Sequence, residues 1–163
     1  MVRGDDEVIE ILNAVLTNEL TAINQYWLHY RIQSHWGYDG LAHHYRDESI
    51  DEMKHADKVV HRVLYLDGHP NLQRLHTLRT GENVPEMLEL DYARELENVE
   101  TLRKGITLSR GRSDFGTAVL LEEILEEEEE HIDWLEAQLE LIRQVGAPQY
   151  LAEQIHKHGS SSD

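Results

Sequence analysis

The chain contains no cysteine. That excludes disulfides, iron–sulfur clusters, thiolate zinc sites and cysteine nucleophiles together, and leaves any metal chemistry to histidine and carboxylates. Basic residues are also scarce, with 15 Lys and Arg against 32 Asp and Glu, a formal net charge of −17 over 163 residues. Such a surface repels phosphates, so the expectation is no nucleic-acid and no membrane partner, and an affinity for cations. No apolar run approaches the roughly 18 residues that a bilayer span requires. The opening MVRGDDEV lacks the pattern of a secretory signal, which makes the expected location cytoplasmic. There is no convincing strand either.

What is present is 40% hydrophobic residues in a length suited to one domain with a sizeable core. The expected domain is 1–158, with 159–163 as a disordered tail. Apolar residues recur at helical spacing in four long stretches. The first is capped by Asp5 and Asp6 and runs to about Trp36, with Ile9, Leu12, Val15 or Leu16, Ile23, Tyr26 and Tyr30 facing inward. Gly37 and Gly40 mark a turn into a second helix, about Leu41 to Leu66. A non-periodic segment then runs to about Asn83, long enough to travel the length of a bundle and return the chain to its other end. The third helix spans about Val84 to Ser109 and the fourth about Phe115 to Val145, stopped by Gly146 and Pro148. A short fifth, Gln149 to Lys157, is stable only if docked. The expected fold is all-α: a four-helix bundle of ferritin-like connectivity, with a long crossover between helices two and three and a short fifth C-terminal helix.

Each long helix carries a carboxylate on its apolar stripe: Glu19, Glu52, Glu95 and Glu128. Two of these are followed three residues later by histidine, as Glu52-x-x-His55 and Glu128-x-x-His131, and at about 100° per residue each pair shares a helix face. Glu19 and Glu52 are 33 residues apart, as are Glu95 and Glu128, so the two halves of the chain repeat one pattern. A buried carboxylate is costly unless compensated, and four of them point to cations. A Glu from each of two helices and a Glu-x-x-His from each of the other two is the set with which ferritin-like proteins hold a pair of metal ions. On that template Glu52 and Glu128 bridge the ions, Glu19 and His55 complete one, and Glu95 and His131 the other. Oxygen-rich mixed ligands suit iron or manganese. The remaining acids of the run, Glu126, Glu127, Glu129 and Glu130, read as a solvated face. Tyr26, one turn beyond Ile23, is either core packing or an accessory hydrogen-bond or electron donor to the site. Met53 lies on a second apolar stripe with Ile50, Val60 and Leu64, which needs a partner surface.

Three segments, Asn18-Glu19-Leu20-Thr21-Ala22-Ile23-Asn24-Gln25-Tyr26, Glu48-Ser49-Ile50-Asp51-Glu52-Met53-Lys54-His55-Ala56-Asp57 and Glu129-Glu130-His131-Ile132-Asp133-Trp134-Leu135, resemble the bacterioferritin family, and the similarity runs from about Gly4 to Ile155. The methionine directly after the helix-two glutamate is the distinguishing feature. The resemblance implies a di-iron ferroxidase centre at the six ligands above, with two iron ions per subunit. It implies that Met53 from two subunits ligates one haem b per subunit pair, and that ferric mineral is stored in a hollow shell of about 24 subunits built from twofold dimers. The short fifth helix would line fourfold channels, and a ferredoxin-like reductant would serve iron release. Where many members of the family carry Tyr-His, this chain has Arg46-Asp47. Asp47 and Asp51 would therefore make an altered, all-carboxylate version of an inner-surface iron site, and Arg46 would face a haem propionate. The rival readings are a haem-binding electron-transfer protein with a structural metal, and a di-iron oxygenase or peroxidase acting on an organic substrate. Neither a substrate-binding insertion nor the basic tail of a DNA-protecting mini-ferritin is present.

Overall fold

The computed structural model describes residues 4–155. The expected tail at 159–163 and the expected end of the last helix at Lys157 lie outside them. The elements are α1 (Asp6–His35), α2 (Asp39–Tyr65), α3 (Val84–Gly111), α4 (Phe115–Val145) and α5 (Ala147–Ile155). The expected bundle is therefore observed, with small shifts at its ends: Gly40 lies inside the first turn of α2, and α5 starts at Ala147 rather than Gln149.

Local signals explain the boundaries. Asp5 accepts from the backbone N–H groups of Glu7 and Val8 at 2.8 and 3.2 Å, satisfying two of the donors that α1 would leave open. Asn83 caps α3 through Glu86 N–H at 2.9 Å, with Pro85 in the first turn, and Asp114 caps α4 through Thr117 N–H at 3.1 Å. α4 ends at Gly146, whose φ of +85° is a conformation glycine adopts without strain. The short α5 docks within the chain through buried Tyr150, whose hydroxyl donates to Gln138 Oε1 at 2.7 Å.

Two apolar clusters fill the bundle. One holds Val8, Leu12, Val15, Leu16, Ala56, Val59, Val63, Leu102, Ile106, Leu121 and Ile124; the other holds Ala22, Tyr26, Leu41, Tyr45, Val84, Leu88, Leu135 and Tyr150. α1 and α4 pass from the first cluster to the second, while α2 and α3 pass from the second to the first. α2 and α3 thus run in the same direction, and residues 66–83 must carry the chain back along the whole bundle.

That crossover is held by a polar stripe on α1 at every fourth residue. Asn13 Oδ1 accepts from Asn71 N–H at 2.8 Å, Thr17 Oγ1 from Arg74 at 3.0 Å, Thr21 Oγ1 from His76 N–H at 3.0 Å, and Gln25 Oε1 from Arg79 N–H at 3.0 Å. Gly81 N–H then donates to His29 Nε2 at 3.1 Å. A ring nitrogen that accepts carries no proton, so His29 holds its proton on Nδ1 and gives it to Asp91 Oδ2 at 2.9 Å. A side chain on Gly81 would place Cβ 2.6 Å from Met87 N, so the close approach requires glycine. The stripe of apolar residues read from the sequence marks the other side of the same helix.

Candidate metal centre

Along every long helix, one carboxylate sits between residues of the two apolar clusters. Glu19, Glu52 and Glu95 are 0% exposed and Glu128 1%. His55 and His131 lie beside them, one turn further along α2 and α4. Ligand atoms of Glu19, Glu52, His55 and Glu128 lie within 4.8 Å of one another, and so do those of Glu95, Glu128 and His131. The six residues singled out in the sequence thus form two sets that share Glu128. Glu52 groups with the first set, so of the two expected bridges only Glu128 belongs to both sets.

The individual contacts are close. His131 Nδ1 is 2.8 Å from Glu95 Oε2, and His55 Nδ1 is 3.2 Å from Glu52 Oε1 and 3.6 Å from Glu19 Oε2. Many buried atoms nevertheless lack a hydrogen bond: Glu19 Oε2, both Glu52 oxygens, Glu95 Oε1, His55 Nδ1 and His131 Nε2. Buried polar atoms are nearly always paired, and each orphan costs on the order of 1–3 kcal/mol. Six orphans on the residues of these two sets are what a site for cations looks like, because bound ions would satisfy them.

Electrostatics says the same. Burial, reinforced by Glu19 and Glu95, pushes the Glu52 carboxyl well above the ordinary range, and burial with Glu52, Glu95 and Glu19 does so for Glu128. Burial pulls the His55 imidazole down, but the carboxylates, Glu19 first, outweigh it and raise it to about 10. His131 is also raised, its bond to Glu95 overcoming burial. Without cations the centre therefore retains protons. With two divalent ions, the charges of the four carboxylates are balanced and the imidazoles are free to act as neutral ligands.

Tyr26 is fully buried, with its ring edge-on to His131 at a centroid distance of 5.4 Å and its hydroxyl unpartnered. Burial, then Glu95 and Asp91, pushes its phenol well above the usual value. Met53 is 53% exposed on the outer side of α2. Asp47 and Asp51 belong to no group of three or more metal-binding side chains among the described residues; within α2, Asp47 lies 3.4 Å from His43 and 3.5 Å from Arg46, and Asp51 lies 3.9 Å from Lys54.

Three features escaped the sequence reading. Asn98, three residues after Glu95 and so at the spacing that carries histidine on α2 and α4, donates to Glu19 Oε1 at 3.1 Å and Glu128 Oε2 at 2.6 Å. Glu127 is not simply a solvated acid, since its Oε1 lies 3.1 Å from His55 Nε2. His44 and Glu48 extend the face of α2 that holds Glu52 and His55, at four-residue spacing. They line a cleft of about 180 Å³ with Asp51, Glu127, Glu130 and Trp134, open onto Glu52, His55, Glu128 and His131. Burial lifts the Glu48 carboxyl to about 7 and, with His131 and His43, lowers the His44 imidazole to about 3.

Residues 9–145 match the ferritin-like domain family. The chain is 49% identical over 152 residues to a bacterioferritin of Mycobacterium tuberculosis, covering 93% of this chain and 96% of that one. It is 50% identical over 151 residues to a bacterioferritin of Streptomyces coelicolor (93% and 90% covered) and 44% over 149 residues to one of Brucella melitensis (91% and 92% covered).

Proposed function

The chain belongs to the bacterioferritins, iron-storage proteins of the ferritin-like family, and from that premise we propose that its buried centre is a ferroxidase site. The observation that carries the proposal is the pair of carboxylate and histidine sets joined at Glu128, with six unpartnered buried ligand atoms. Fe(II) is the substrate. Glu19 and His55 hold one ion, Glu95 and His131 the other, and Glu52 and Glu128 span the pair, Glu52 turning from its place in the first set towards both ions. Each ion gives up one electron; oxygen takes two electrons and two protons to become peroxide, or peroxide takes the same number to become water. The protons that the carboxyls and imidazoles release on metal binding supply part of that demand.

The surrounding residues hold the ligands in place. Glu127 accepts the Nε2 proton of His55, so that Nδ1 faces the metal, and Asn98 fixes the rotamers of Glu19 and Glu128. Tyr26, edge-on to His131, would supply a hydrogen bond or an electron. Ferric product passes into the interior of a shell of about 24 subunits assembled from twofold dimers, with α5 lining fourfold channels.

On the outer face, exposed Met53 and Leu64 form the dimer contact, where Met53 of each subunit would ligate one shared haem b and Arg46 would pair with a propionate. Such a haem supplies one-electron chemistry for iron release, fed by a ferredoxin-like donor. The location we assign is cytoplasmic, without nucleic-acid or membrane partners; no helix among the described residues is long and apolar enough to cross a membrane.

The test is aerobic addition of Fe(II) to wild type and to Glu128→Ala, following ferric absorbance. Rapid oxidation should be lost in the variant, and its survival would refute the assignment.

A further inference from the structure

We infer that His44 and Glu48 form an outer metal station, at which a divalent cation binds together with His131 before passing to the buried centre. Ligand atoms of these three residues lie within 4.8 Å of one another, a third set joined to the second by His131 just as the second is joined to the first by Glu128. His44 Nε2 is 3.7 Å from Glu48 Oε1, and Glu48 Oε2 is 3.5 Å from His131 Nδ1. These are long for hydrogen bonds, but two ligands bonded to one ion at about 2.0–2.2 Å are held about 3–4 Å apart. His44 Nε2 and His131 Nε2 are both buried without a hydrogen-bond partner, and the His131 side chain is 2% exposed. The His44 ring is fixed by stacking on Trp134, at a centroid distance of 3.6 Å and 14° between planes.

The three sets differ in depth. The first two are buried throughout, while the third combines buried His131 with half-buried His44 and Glu48, which line the cleft. His131 Nδ1 faces both Glu48 and, at 2.8 Å, Glu95. An ion can therefore keep His131 as a ligand while exchanging Glu48 for Glu95, and no step requires it to shed all protein ligands at once. Two imidazoles and a carboxylate suit Fe(II), Co(II) or Zn(II), whereas the deeper sets are richer in oxygen.

The transit role rests on the ferroxidase reading, so the test separates the two. Crystals of wild type, Glu95→Ala and the double variants Glu95→Ala/His44→Phe and Glu95→Ala/Glu48→Gln are soaked in Zn(II) and examined by anomalous diffraction. Removing Glu95 should strand an ion about 2.0–2.2 Å from His44 Nε2 and a Glu48 oxygen. That peak should vanish in both double variants, of which the phenylalanine keeps the ring on Trp134 and the glutamine keeps the shape of Glu48. A Glu95→Ala crystal with no zinc at His44 and Glu48 would overturn the station. The ferroxidase reading is judged independently by the wild type, where it demands two ions among Glu19, Glu52, His55, Glu95, Glu128 and His131. In solution, His44→Phe should raise the half-saturating Fe(II) concentration for oxidation roughly tenfold. An unchanged value would remove the transit role.

Discussion

Asn98 donates its side-chain amide to Glu128 Oε2 over 2.6 Å in the middle of a fully buried carboxylate cluster. It is an uncharged donor in a place where a lysine or arginine would compete with metal ions for the same oxygens. The same amide reaches Glu19 Oε1, so one side chain on α3 orients ligands from α1 and α4.

Asn98→Ala should therefore leave the fold intact but weaken Zn(II) binding and slow Fe(II) oxidation by roughly tenfold or more, as loss of a group that orients metal ligands does elsewhere. Calorimetric titration and stopped-flow absorbance measure the two. Equal affinity and rate in the variant would mean the amide is only packing.

Glu127 and Glu129, on either side of Glu128, are exposed acids with different tasks. Glu127 meets His55 Nε2, while Glu129 pairs with Arg103 at 3.4 Å on the surface. Glu127→Ala should lower Fe(II) oxidation several-fold, on the order of tenfold. Glu129→Ala should be close to neutral, because an exposed pair of this kind contributes roughly 0–1 kcal/mol at most. A side-by-side oxidation assay decides the matter, and similar losses in both variants would show a general effect of surface charge.

Stability of the metal-free protein should fall as pH rises from about 7 to 9. His55, raised from 6.5 to about 10, keeps in this window a proton that the unfolded chain gives up, so the folded state binds more protons and stability declines with pH; Glu52 and Glu128, raised above 4.5, act with the same sign. His44, held neutral when folded, acts with the opposite sign but only below its unfolded value near 6.5. Asp5 and Asp114, whose carboxyls are lowered, act only in the acid range near and below 3.8. Zn(II) should reverse the slope, since metal binding displaces those protons. Thermal melts at pH 7, 8 and 9 with and without Zn(II) measure it, and a metal-free melting temperature that climbs with pH would contradict the account.

His29→Ala should loosen the crossover rather than the metal centre. It leaves the Gly81 N–H and an Asp91 oxygen unpaired in the interior, a cost of about 2–4 kcal/mol. Hydrogen exchange should show lost protection over residues 66–83, with oxidation of Fe(II) little changed. Unaltered exchange there would show that the crossover is held by its apolar contacts instead.

Met53→Leu should preserve iron oxidation and remove haem. The exposed thioether lies outside the buried centre, and leucine conserves its apolar surface. Absorbance in the Soret region after haem addition is the readout. A full Soret band in the leucine variant would exclude Met53 as the ligand.

The six-residue pattern was legible because helices are periodic: a carboxylate on an apolar stripe, repeated at equal spacing in both halves of the chain, needs no tertiary information to be recognised as compensated by something. The crossover was legible only as a gap in that periodicity. Its anchoring by Asn13, Thr17, Thr21, Gln25 and His29 was not, since polar residues at four-residue spacing look like a solvent-facing side until a segment some 55 residues away is laid over them.

By itself the sequence determined the all-α class, the four long helices, and the identity and depth of Glu19, Glu52, His55, Glu95, Glu128 and His131, because local spacing fixes which side chains share a helix face. Only the tertiary structure decided which of them meet. Glu128 falls in both ligand sets and Glu52 in one, and His44 and Glu48 come to stand beside His131. Those relations depend on how far each helix is rotated and shifted against its neighbours, which packing across the bundle sets and no single stretch of chain encodes.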